Sequence, residues 1–393
     1  MSRLEELIQQ LCPDGVEYVP LSELFFTRNG YTPSKSNPEF WNEGSIPWFR
    51  MEDIRENGRI LSDSSQHISE KAVKGQVFPE NSIIVATSAT IGEHALVTVP
   101  SLANQRFTYL VLKEQYQDLF DIKFLFYYCF KLDEYCKANL NQGNFASVDM
   151  KKFAKFEFPL VPLPVQQEIV RILDTFTELT AELNEKLTAE LAARKKQYEY
   201  YRDELLHKSS FRDVRVCKLG EVANIHTGSK PAEILEDYSE FEYINAGTSN
   251  SGYVKTPNSP GDTVTTPSRG QGGIGFVGYQ SRPFHLGPLC YSIRSNDENI
   301  VTNKFIYYWL SSHAGDILAF KKEGGTPALN RGDLMGLRLC VPHISVQHRI
   351  VSILDRFDAL CNDLTSGLPA EMEARRKQYE YYRDKLLSFK VKG

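Results

Sequence analysis

The feature that most constrains the fold is an internal repeat. The word KQYEYYRD occurs twice, at 196–203 and at 377–384, inside the longer words ARKKQYEYYRDELL (193–206) and ARRKQYEYYRDKLL (374–387). The match extends towards the N-terminus without a gap, and about 25 of about 44 aligned positions are identical. A shared helical composition does not give this level of identity, so the chain contains a true duplication.

The duplication continues beyond the two repeated helices. RLEELI near the N-terminus resembles the end of the first repeat helix, and VPLSEL (19–24) resembles CKLGEV (217–222). The unit is a variable block followed by a conserved helix, and residues 1–15 resemble the tail of a further copy. This pattern predicts a molecule with two-fold pseudo-symmetry, in which the N-terminal helix completes a circular repeat.

The conserved segments predict long helices. Apolar residues recur in steps of three and four through 163–208, and Pro162 and Pro164 suit the start of a helix. The second copy repeats this pattern, but Gly367 and Pro369 predict a break before the helix resumes at about Ala370. Two such helices in one chain predict an antiparallel coiled coil.

The variable blocks predict compact β-rich domains. Short β-type runs punctuated by Gly, Pro, Asn and Ser fill both blocks, and each block also holds one aromatic helical stretch. The predicted fold class is α+β with two β-rich domains separated by long helices. The predicted divisions are an N-terminal helix (1–15), a first domain (16–160), a first helical spacer (161–210), a second domain (211–342) and a second spacer (343–393).

Composition and motifs favour binding over catalysis. The chain has 393 residues, a formal net charge of −5 and seven scattered cysteines without a C-x-x-C pair. GQGGIG (270–275) imitates a phosphate-binding loop, but FVGY follows it and predicts a strand where such a loop needs a helix. We find no nucleophile elbow, P-loop or zinc motif, so we expect no cofactor, no metal and no catalytic residues.

The same features bear on where the protein works. Unpaired cysteines favour a reducing, cytoplasmic location. MSRLEELIQQ is amphipathic and lacks the apolar core of a signal peptide, and no apolar stretch is long enough to span a bilayer.

Polar clusters in the two blocks are candidates for contact with nucleic acid. Arg, Lys, Asn and Gln on loops suit base edges and phosphates, although ordinary turn chemistry explains any one of them as well. Residues 250–294 also form a locally basic strip, which includes Arg294. In the first block the candidates are Thr32, Ser34, Lys35, Arg50, Thr87, Ser88, Thr90, Asn104, Gln105 and Arg106. In the second they are Thr227, Ser229, Lys230, Asn245, Lys255, Ser268, Arg269, Gln271, Arg282, Asn330 and Arg331.

The repeated words are candidates for partner docking. The simpler interpretation is that their tyrosines fill the helix seam while the arginine and aspartate are exposed. Packing alone, however, does not require identical exposed residues in both copies. The candidates are Tyr198, Glu199, Tyr201, Arg202 and Asp203, with Tyr379, Glu380, Tyr382, Arg383 and Asp384.

Taken together, these segments resemble the specificity subunits of type I restriction–modification systems. The resemblance covers almost the whole chain, and its most specific parts are QQEIVRILDTF and QHRIVSILDRF, the KQYEYYRD words and TPSKSNPEFWNEGSIPWF (32–49). It implies two target-recognition domains, each reading half of a split double-stranded DNA site. It also implies helices that act as spacer and as platform for two methyltransferase subunits, with motor-nuclease subunits joining through them. S-adenosylmethionine and the methylation chemistry would reside in those partners.

Two other hypotheses stay open at this stage. The chain could be a stand-alone enzyme on sugars or nucleic acids, which the missing catalytic motifs disfavour. It could also be a coiled-coil structural adaptor without sequence-specific DNA binding. If both domains read one side of a duplex, their half-sites should be centred about 10 base pairs apart.

Overall fold

The repeat divides the chain in an unusual way. The computed structural model describes residues 2–141, 146–207, 214–237, 240–270, 272–322, 327–362 and 367–393. Two compact units share these residues. Unit 1 is Met1–Leu183 with Arg375–Gly393, and unit 2 is Asn184–Ala374. Each unit therefore combines one β-rich domain with the first half of one repeat helix and the second half of the other.

Unit 1 contains five of the helices and the first ten strands. The helices are α1 (Arg3–Leu11), α2 (Leu21–Leu24), α3 (Met51–Asn57), α4 (Ile122–Ala138) and α5 (Met150–Phe153), with 3-10 turns at Pro38–Phe40, Glu70–Ala72 and Glu114–Tyr116. The strands are β1 (Tyr18–Pro20), β2 (Phe25–Asn29), β3 (Ile46–Phe49), β4 (Ile60–Leu61), β5 (His67–Ile68), β6 (Ser82–Ala86), β7 (His94–Val97), β8 (Leu102–Ala103), β9 (Phe107–Leu112) and β10 (Glu157–Pro159). Helix α6 (Leu163–Leu206) begins in unit 1 and ends in unit 2.

Unit 2 holds the remaining elements. Its strands are β11 (Arg215–Lys218), β12 (Ala223–Thr227), β13 (Phe241–Ile244), β14 (Tyr253–Val254), β15 (Thr263–Pro267), β16 (Gly278–Gln280), β17 (His285–Leu286), β18 (Cys290–Ser295) and β19 (Arg338–Val341). Its helices are α7 (Leu219–Val222), α8 (Asn303–Ser312), α9 (Ala314–Ala319), α10 (Arg331–Met335), α11 (Ile344–Asn362) and the start of α12 (Leu368–Leu386).

The two domains share one topology although their sequences have diverged. The main sheet has the order β2-β9-β6-β7-β4 in unit 1 and β12-β18-β15-β16 in unit 2. A three-stranded sheet, β5-β3-β8 or β14-β13-β17, has a central strand with one antiparallel and one parallel neighbour in both units. A two-stranded ladder, β1-β10 or β11-β19, joins the beginning and end of each domain. The predicted α+β class with an internal repeat is confirmed.

The helical segments follow the predicted pattern with one shift. Helix α6 starts at Leu163, and Pro164 occupies its first turn, where the missing N–H costs no hydrogen bond. The second helical segment is divided into α11 and α12, as Gly367 and Pro369 predict. Helix α12 resumes at Leu368 and not at about Ala370, because proline is compatible with the first turn of a helix.

Within each unit the two helix halves run antiparallel. In unit 1 the rings of Phe176 and Tyr382 lie 6.3 Å apart, and in unit 2 the rings of Tyr201 and Phe357 lie 6.0 Å apart. These two pairs occupy equivalent positions of the repeat. Tyr379 lies within hydrogen-bonding distance of Thr177 (2.9 Å between the hydroxyl oxygens), which fixes the register in unit 1.

A buried glutamine anchors each domain to its helix. Gln166 donates through Nε2 to the carbonyls of Leu119 (2.8 Å) and Val161 (2.6 Å), and its Oε1 accepts from the N–H of Asp121 (2.8 Å). Gln347 makes the same three bonds, to the carbonyls of Ile300 and Pro342 and from the N–H of Thr302. Both amides are fully buried, and these bonds satisfy them.

A carboxylate makes the second anchor. Asp174 accepts hydrogen bonds from Lys123 Nζ (2.7 Å) and from the hydroxyl of Tyr127 (2.7 Å). Asp355 does the same in unit 2, with Lys304 and the hydroxyl of Tyr308. Burial raises the pKa of both tyrosines, and the neighbouring carboxylates raise it further, so the hydroxyls stay protonated and donate.

The end of the chain completes the core of unit 1. Leu387 is fully buried in the same hydrophobic cluster as Leu4 and Phe124, and Phe389 packs against that cluster. The N–H of Val16 donates to the carbonyl of Lys390 (2.9 Å), and the N–H of Lys392 donates to the carbonyl of Val16 (3.0 Å). In unit 2 the position equivalent to Leu387 is Leu206, which is buried in the second domain's cluster.

We predict that Leu387→Ala destabilises unit 1 and that Leu206→Ala destabilises unit 2, each by about 2–5 kcal/mol, because each change opens a cavity in one core. Hydrogen exchange measured segment by segment reports the two units separately. Leu179→Ala is the control, since Leu179 is 56% exposed on the same helix. Equal loss of protection in both units with either variant would contradict this assignment.

Candidate nucleic-acid interface

One end of the first domain collects the four polar clusters predicted in its block. Strands β2, β3 and β6 end there at Asn29, Phe49 and Ala86, and β9 begins there. Backbone bonds join the loops that follow, from the Thr87 N–H to the Arg106 carbonyl (2.9 Å) and from the Asn104 N–H to the Phe49 carbonyl (3.0 Å). We call this loop-bearing end the loop end of domain 1.

The side chains at this loop end divide into exposed and engaged groups. Ser34, Lys35, Gln105 and Arg106 are exposed. The others are partly or fully used within the domain. Thr87 is buried and lies 2.9 Å from Thr108 between hydroxyl oxygens. Thr32 bonds Gln105, Arg50 Nη2 donates to Ser65 Oγ, and Asn104 Oδ1 accepts from the N–H of Arg106. Ser88 and Thr90 are half-buried.

The second domain has the same loop end with different residues. Thr227 ends β12, Asn245 follows β13, and Ser268 and Arg269 follow β15. The N–H of Leu329 donates to the carbonyl of Ser268 (2.9 Å), which brings the Asn330–Arg331 segment to the same place. The N–H of Ser229 bonds the carbonyl of Leu286, so Ser229 and Lys230 lie there too. Thr227, Ser229, Lys230, Arg269, Asn330 and Arg331 are exposed, whereas Ser268 is buried.

The structure does not bring three basic residues of the strip at 250–294 to this end. Lys255 follows β14, which runs back towards the start of β13, and its Nζ pairs with Glu233 (3.1 Å). Arg282 follows β16, whose last residue pairs with the first residue of β15. Arg294 donates to the carbonyl of Gly261 (2.5 Å) at that opposite end. Antiparallel strands alternate in direction, so a strip that is continuous in sequence is split between the two ends.

Two further features singled out in the sequence of the second block are Gln271 and the GQGGIG segment. Gln271, a candidate of the second block, lies outside the described residues. In the GQGGIG segment, the described residues 272–275 form a turn that leads to β16. This segment therefore lacks the strand–loop–helix geometry of a phosphate-binding loop, as predicted.

Sequence reasoning missed polar residues beside these clusters. Thr248 and Ser249 are exposed in the loop between β13 and β14, at the loop end of domain 2. Lys151 and Lys152 are exposed on α5, directly after Val148, whose N–H bonds the carbonyl of Thr87. The run NAGTSNSG at 245–252 and the paired lysines of DMKK at 149–152 were signals that could have identified them.

The repeated words have the same geometry in both units. The rings of Tyr200 and Tyr201 lie 5.4 Å apart at 74°, and those of Tyr381 and Tyr382 lie 5.3 Å apart at 74°. Tyr200 is 62% exposed and Tyr381 is 63% exposed, so the most exposed aromatic residues of the words were not among the predicted docking residues. Glu199, Asp203 and Asp384 are also exposed, while Tyr198, Tyr379 and Glu380 are half-buried.

The arginines of the words are not exposed as the simpler interpretation predicts. The side chain of Arg202 is 18% exposed and that of Arg383 is 11% exposed. The Arg383 guanidinium lies over the ring of Phe130, with Cζ 4.0 Å from its centroid, and also bonds Asp384. Stacking of the planar guanidinium on aromatic rings buries both arginines.

Comparison with known proteins assigns the family. Residues 13–193 and 212–374 match the family described as the type I restriction modification DNA specificity domain. The EcoprrI specificity subunit of Escherichia coli is 46% identical over 395 residues, which is 93% of each chain. The EcoR124I/EcoR124II specificity subunit of E. coli is 38% identical over 262 residues, which is 59% of this chain and 61% of that one.

The chain belongs to the type I restriction–modification specificity subunits. It is therefore a DNA specificity component, and the hypothesis of a coiled-coil structural adaptor is not favoured. The fold agrees with solved members of this class. A chain from a structure of type I restriction–modification complex assembly has a TM-score of 0.67 at 16% identity, covering 96% of this chain and 98% of that one. The HsdS subunit from Thermoanaerobacter tengcongensis has a TM-score of 0.53 at 15% identity, covering 96% of each chain.

Among the described residues no group of three or more His, Cys, Asp or Glu side chains could hold a metal ion. All seven cysteines are free thiols, and burial raises the pKa of Cys136 and of Cys290 to about 12, which makes both poor nucleophiles. Within the same part of the chain, no helix has the length and apolarity needed to cross a membrane.

We predict that Lys35→Ala weakens DNA binding and lowers the slope of log affinity against log salt by about 1, because Lys35 is a cation exposed at the loop end and would neutralise one phosphate. Arg282→Ala, at the opposite end of domain 2, should leave both quantities unchanged. Fluorescence anisotropy with the cognate duplex between about 50 and 200 mM salt measures both. A larger effect from Arg282→Ala would mean that the opposite end contacts DNA.

Proposed function

We propose that this specificity subunit reads a bipartite, asymmetric DNA site, one half with the loop end of each domain. The observation that carries the proposal is that the two domains, which share the order of four main-sheet strands, present different sets of polar residues at the equivalent end of each domain. Domain 1 offers Gln105 and Arg106, and domain 2 offers Arg269 and Arg331, all four of them exposed. Arg forms bidentate pairs with guanine edges and Gln contacts adenine edges, so different sets favour different half-sites.

The surroundings of these groups support contact with DNA. Loops at one end of a compact sheet present flexible side chains from a rigid base. Thr87 and Ser268 are buried directly behind the exposed residues and hold the loop backbones through hydrogen bonds. The buried groups would fix the loops, while Lys35 and Lys230 would contact phosphates.

We predict that the chain alone is catalytically inert and binds no S-adenosylmethionine, since it contains no recognisable cofactor or nucleophile motif. Isothermal titration of the isolated chain with S-adenosylmethionine should give no binding heat. The assembled methyltransferase complex, titrated in parallel, is the positive control. Tight binding to the isolated chain would refute the prediction.

We also propose that the repeated words dock two methyltransferase subunits, through which motor-nuclease subunits would join. Tyr200 and Tyr381 support this proposal, because large aromatic side chains at equivalent exposed positions are typical anchors of protein interfaces. Asp203 and Asp384 lie three residues further on the helix and are exposed beside them. Arg202 and Arg383 would serve the interface indirectly, by holding the neighbouring rings and carboxylates.

Changing Tyr200 and Asp203 to alanine should release one methyltransferase subunit, and the same changes at Tyr381 and Asp384 should release the other. Native mass spectrometry of the purified complexes counts the subunits directly. Both variants should keep their thermal midpoints, because none of these side chains is buried. Retention of two methyltransferase subunits by the combined fourfold variant would rule out this docking surface.

We further propose that the two half-sites are separated by an unread spacer whose length depends on helix α6. Replacing residues 212–340 with the matching block of a relative should change only one half-site. Deleting about four residues, roughly one turn, from 180–190 of α6 should change the spacer and leave both half-sites intact. Methylome sequencing reads out each change, and one uninterrupted target word would contradict the bipartite proposal.

A further inference from the structure

Domain 2 contains a polar cavity between its two sheets. The cavity has a volume of about 310 Å³. Its lining includes Glu242, Asn245, Ser249, Thr265, Phe276 and Gln280. This volume is at the lower end of small-ligand sites, which are typically about 300–1,000 Å³. It far exceeds the space of one water molecule, which is about 30 Å³.

The cavity lies under the loop end of domain 2. Residues 245–252 connect β13 to β14, and residues 268–277 connect β15 to β16, so both connections turn at that end. The two loops meet closely, because a Cβ on Gly273 would lie 2.9 Å from the N atom of Gly247. Both loops contribute lining residues, including Ser249 and Phe276. A ligand in the cavity would therefore be held beside the residues proposed to read DNA.

The equivalent space in domain 1 is occupied by packed apolar side chains. There the connection from β3 to β5 spans residues 50–66 and carries α3. Met51 and Ile54 of α3 are buried in a cluster with Ile84 and Tyr109, two facing residues of β6 and β9. The inter-sheet space of domain 1 is thus filled by apolar side chains.

Domain 2 has small or polar residues at the corresponding strand positions. Thr265 and Ser292 form the pair that corresponds to Ile84 and Tyr109. The connection from β13 to β14 is only eight residues long and has no helix. The apolar cluster between these sheets shrinks to Phe284, Leu286 and Cys290. The cavity therefore results from two linked differences, a short connection and polar strand faces.

The lining indicates the chemistry of an occupant. No lysine or arginine is among the lining residues, and Glu242 contributes a carboxylate, so a phosphate group would be repelled. Asn245 uses Oδ1 to accept from the N–H of Leu289 (3.0 Å), which leaves its Nδ2 as a donor. Within the described part of the chain, the hydroxyls of Thr248 and Ser249 have no assigned hydrogen-bond partner. Phe276, 39% exposed, adds an aromatic face.

We propose that this cavity binds a single nucleobase turned out of the DNA duplex, an inference that rests on the proposed DNA-reading function. An uncharged planar ring with donors and acceptors matches the lining, and Phe276 provides a surface for stacking. The Glu242 carboxylate favours a base with an exocyclic amino group, adenine or cytosine. Domain 1, whose equivalent space is filled, reads its half-site without such extrusion.

The test is a scan with 2-aminopurine, a base analogue whose fluorescence rises when it leaves the stack. The analogue is placed at each position of the cognate duplex, which is then bound by the assembled complex. Emission should rise at one position in the half-site that block exchange assigns to domain 2. Thr265→Leu and Ser249→Trp fill the cavity, so they should abolish that rise and weaken binding about tenfold.

Matched variants separate this effect from damage to the fold. Thr265→Val keeps the volume of the side chain and should retain the rise. Ser249 is exposed on a loop, so Ser249→Trp tests the cavity even if Thr265→Leu fails to fold. If the complex binds its site selectively but no position in this half-site shows the rise, the cavity holds water only. The same conclusion follows if the rise persists in the two variants whose cavity is filled. If the wild-type complex shows no sequence-selective DNA binding at all, the proposed function is wrong and this inference fails with it.

Discussion

Each unit of this molecule depends on a helix half that comes from the other copy of the repeat. The ring pairs Phe176–Tyr382 and Tyr201–Phe357 are the same interaction made twice, with the partners exchanged. Because the second half of the second helix belongs to unit 1, the final residues of the chain must return to its beginning. The backbone bonds between Val16 and Lys390–Lys392 are the physical form of that return. The exchange explains why the unit boundaries fall inside helices and not in flexible linkers.

Much of this architecture could be predicted because the sequence contains two copies of the repeat, and residues shared by both copies can be identified. Identical residues 181 positions apart, such as Gln166 and Gln347, mark contacts that both units need. The break at Gly367–Pro369 was predictable for a local reason, since proline and glycine restrict helices wherever they occur. The topology shared by the domains was harder to predict, because Ile84 and Thr265 share a position in the fold but no chemistry.

The candidate site shows where sequence reasoning fails. The clusters at Thr32, Thr87 and Asn104 were found separately, and only the sheet shows that they converge on one end. The basic strip at 250–294 is divided between the two ends of domain 2, because composition does not show the direction of each strand. The burial of Arg383 depends on Phe130, which is distant in sequence and belongs to the other copy of the repeat. Contacts of this kind arise from tertiary packing, which a periodic pattern does not specify.

The two buried glutamines have a consequence for how such proteins change over time. Gln166 and Gln347 hold the domains almost entirely through main-chain atoms, namely two carbonyls and one N–H in each unit. Main-chain groups are present whatever the side chain, so most substitutions in a variable block leave this attachment intact. The side-chain requirements are an apolar face that packs against the helix and a lysine and a tyrosine spaced for Asp174 or Asp355. A single recombination event that exchanges a variable block would therefore leave its attachment to the helices intact. A lineage would acquire a new DNA sequence specificity in one step, while the helices and their anchoring residues stay unchanged.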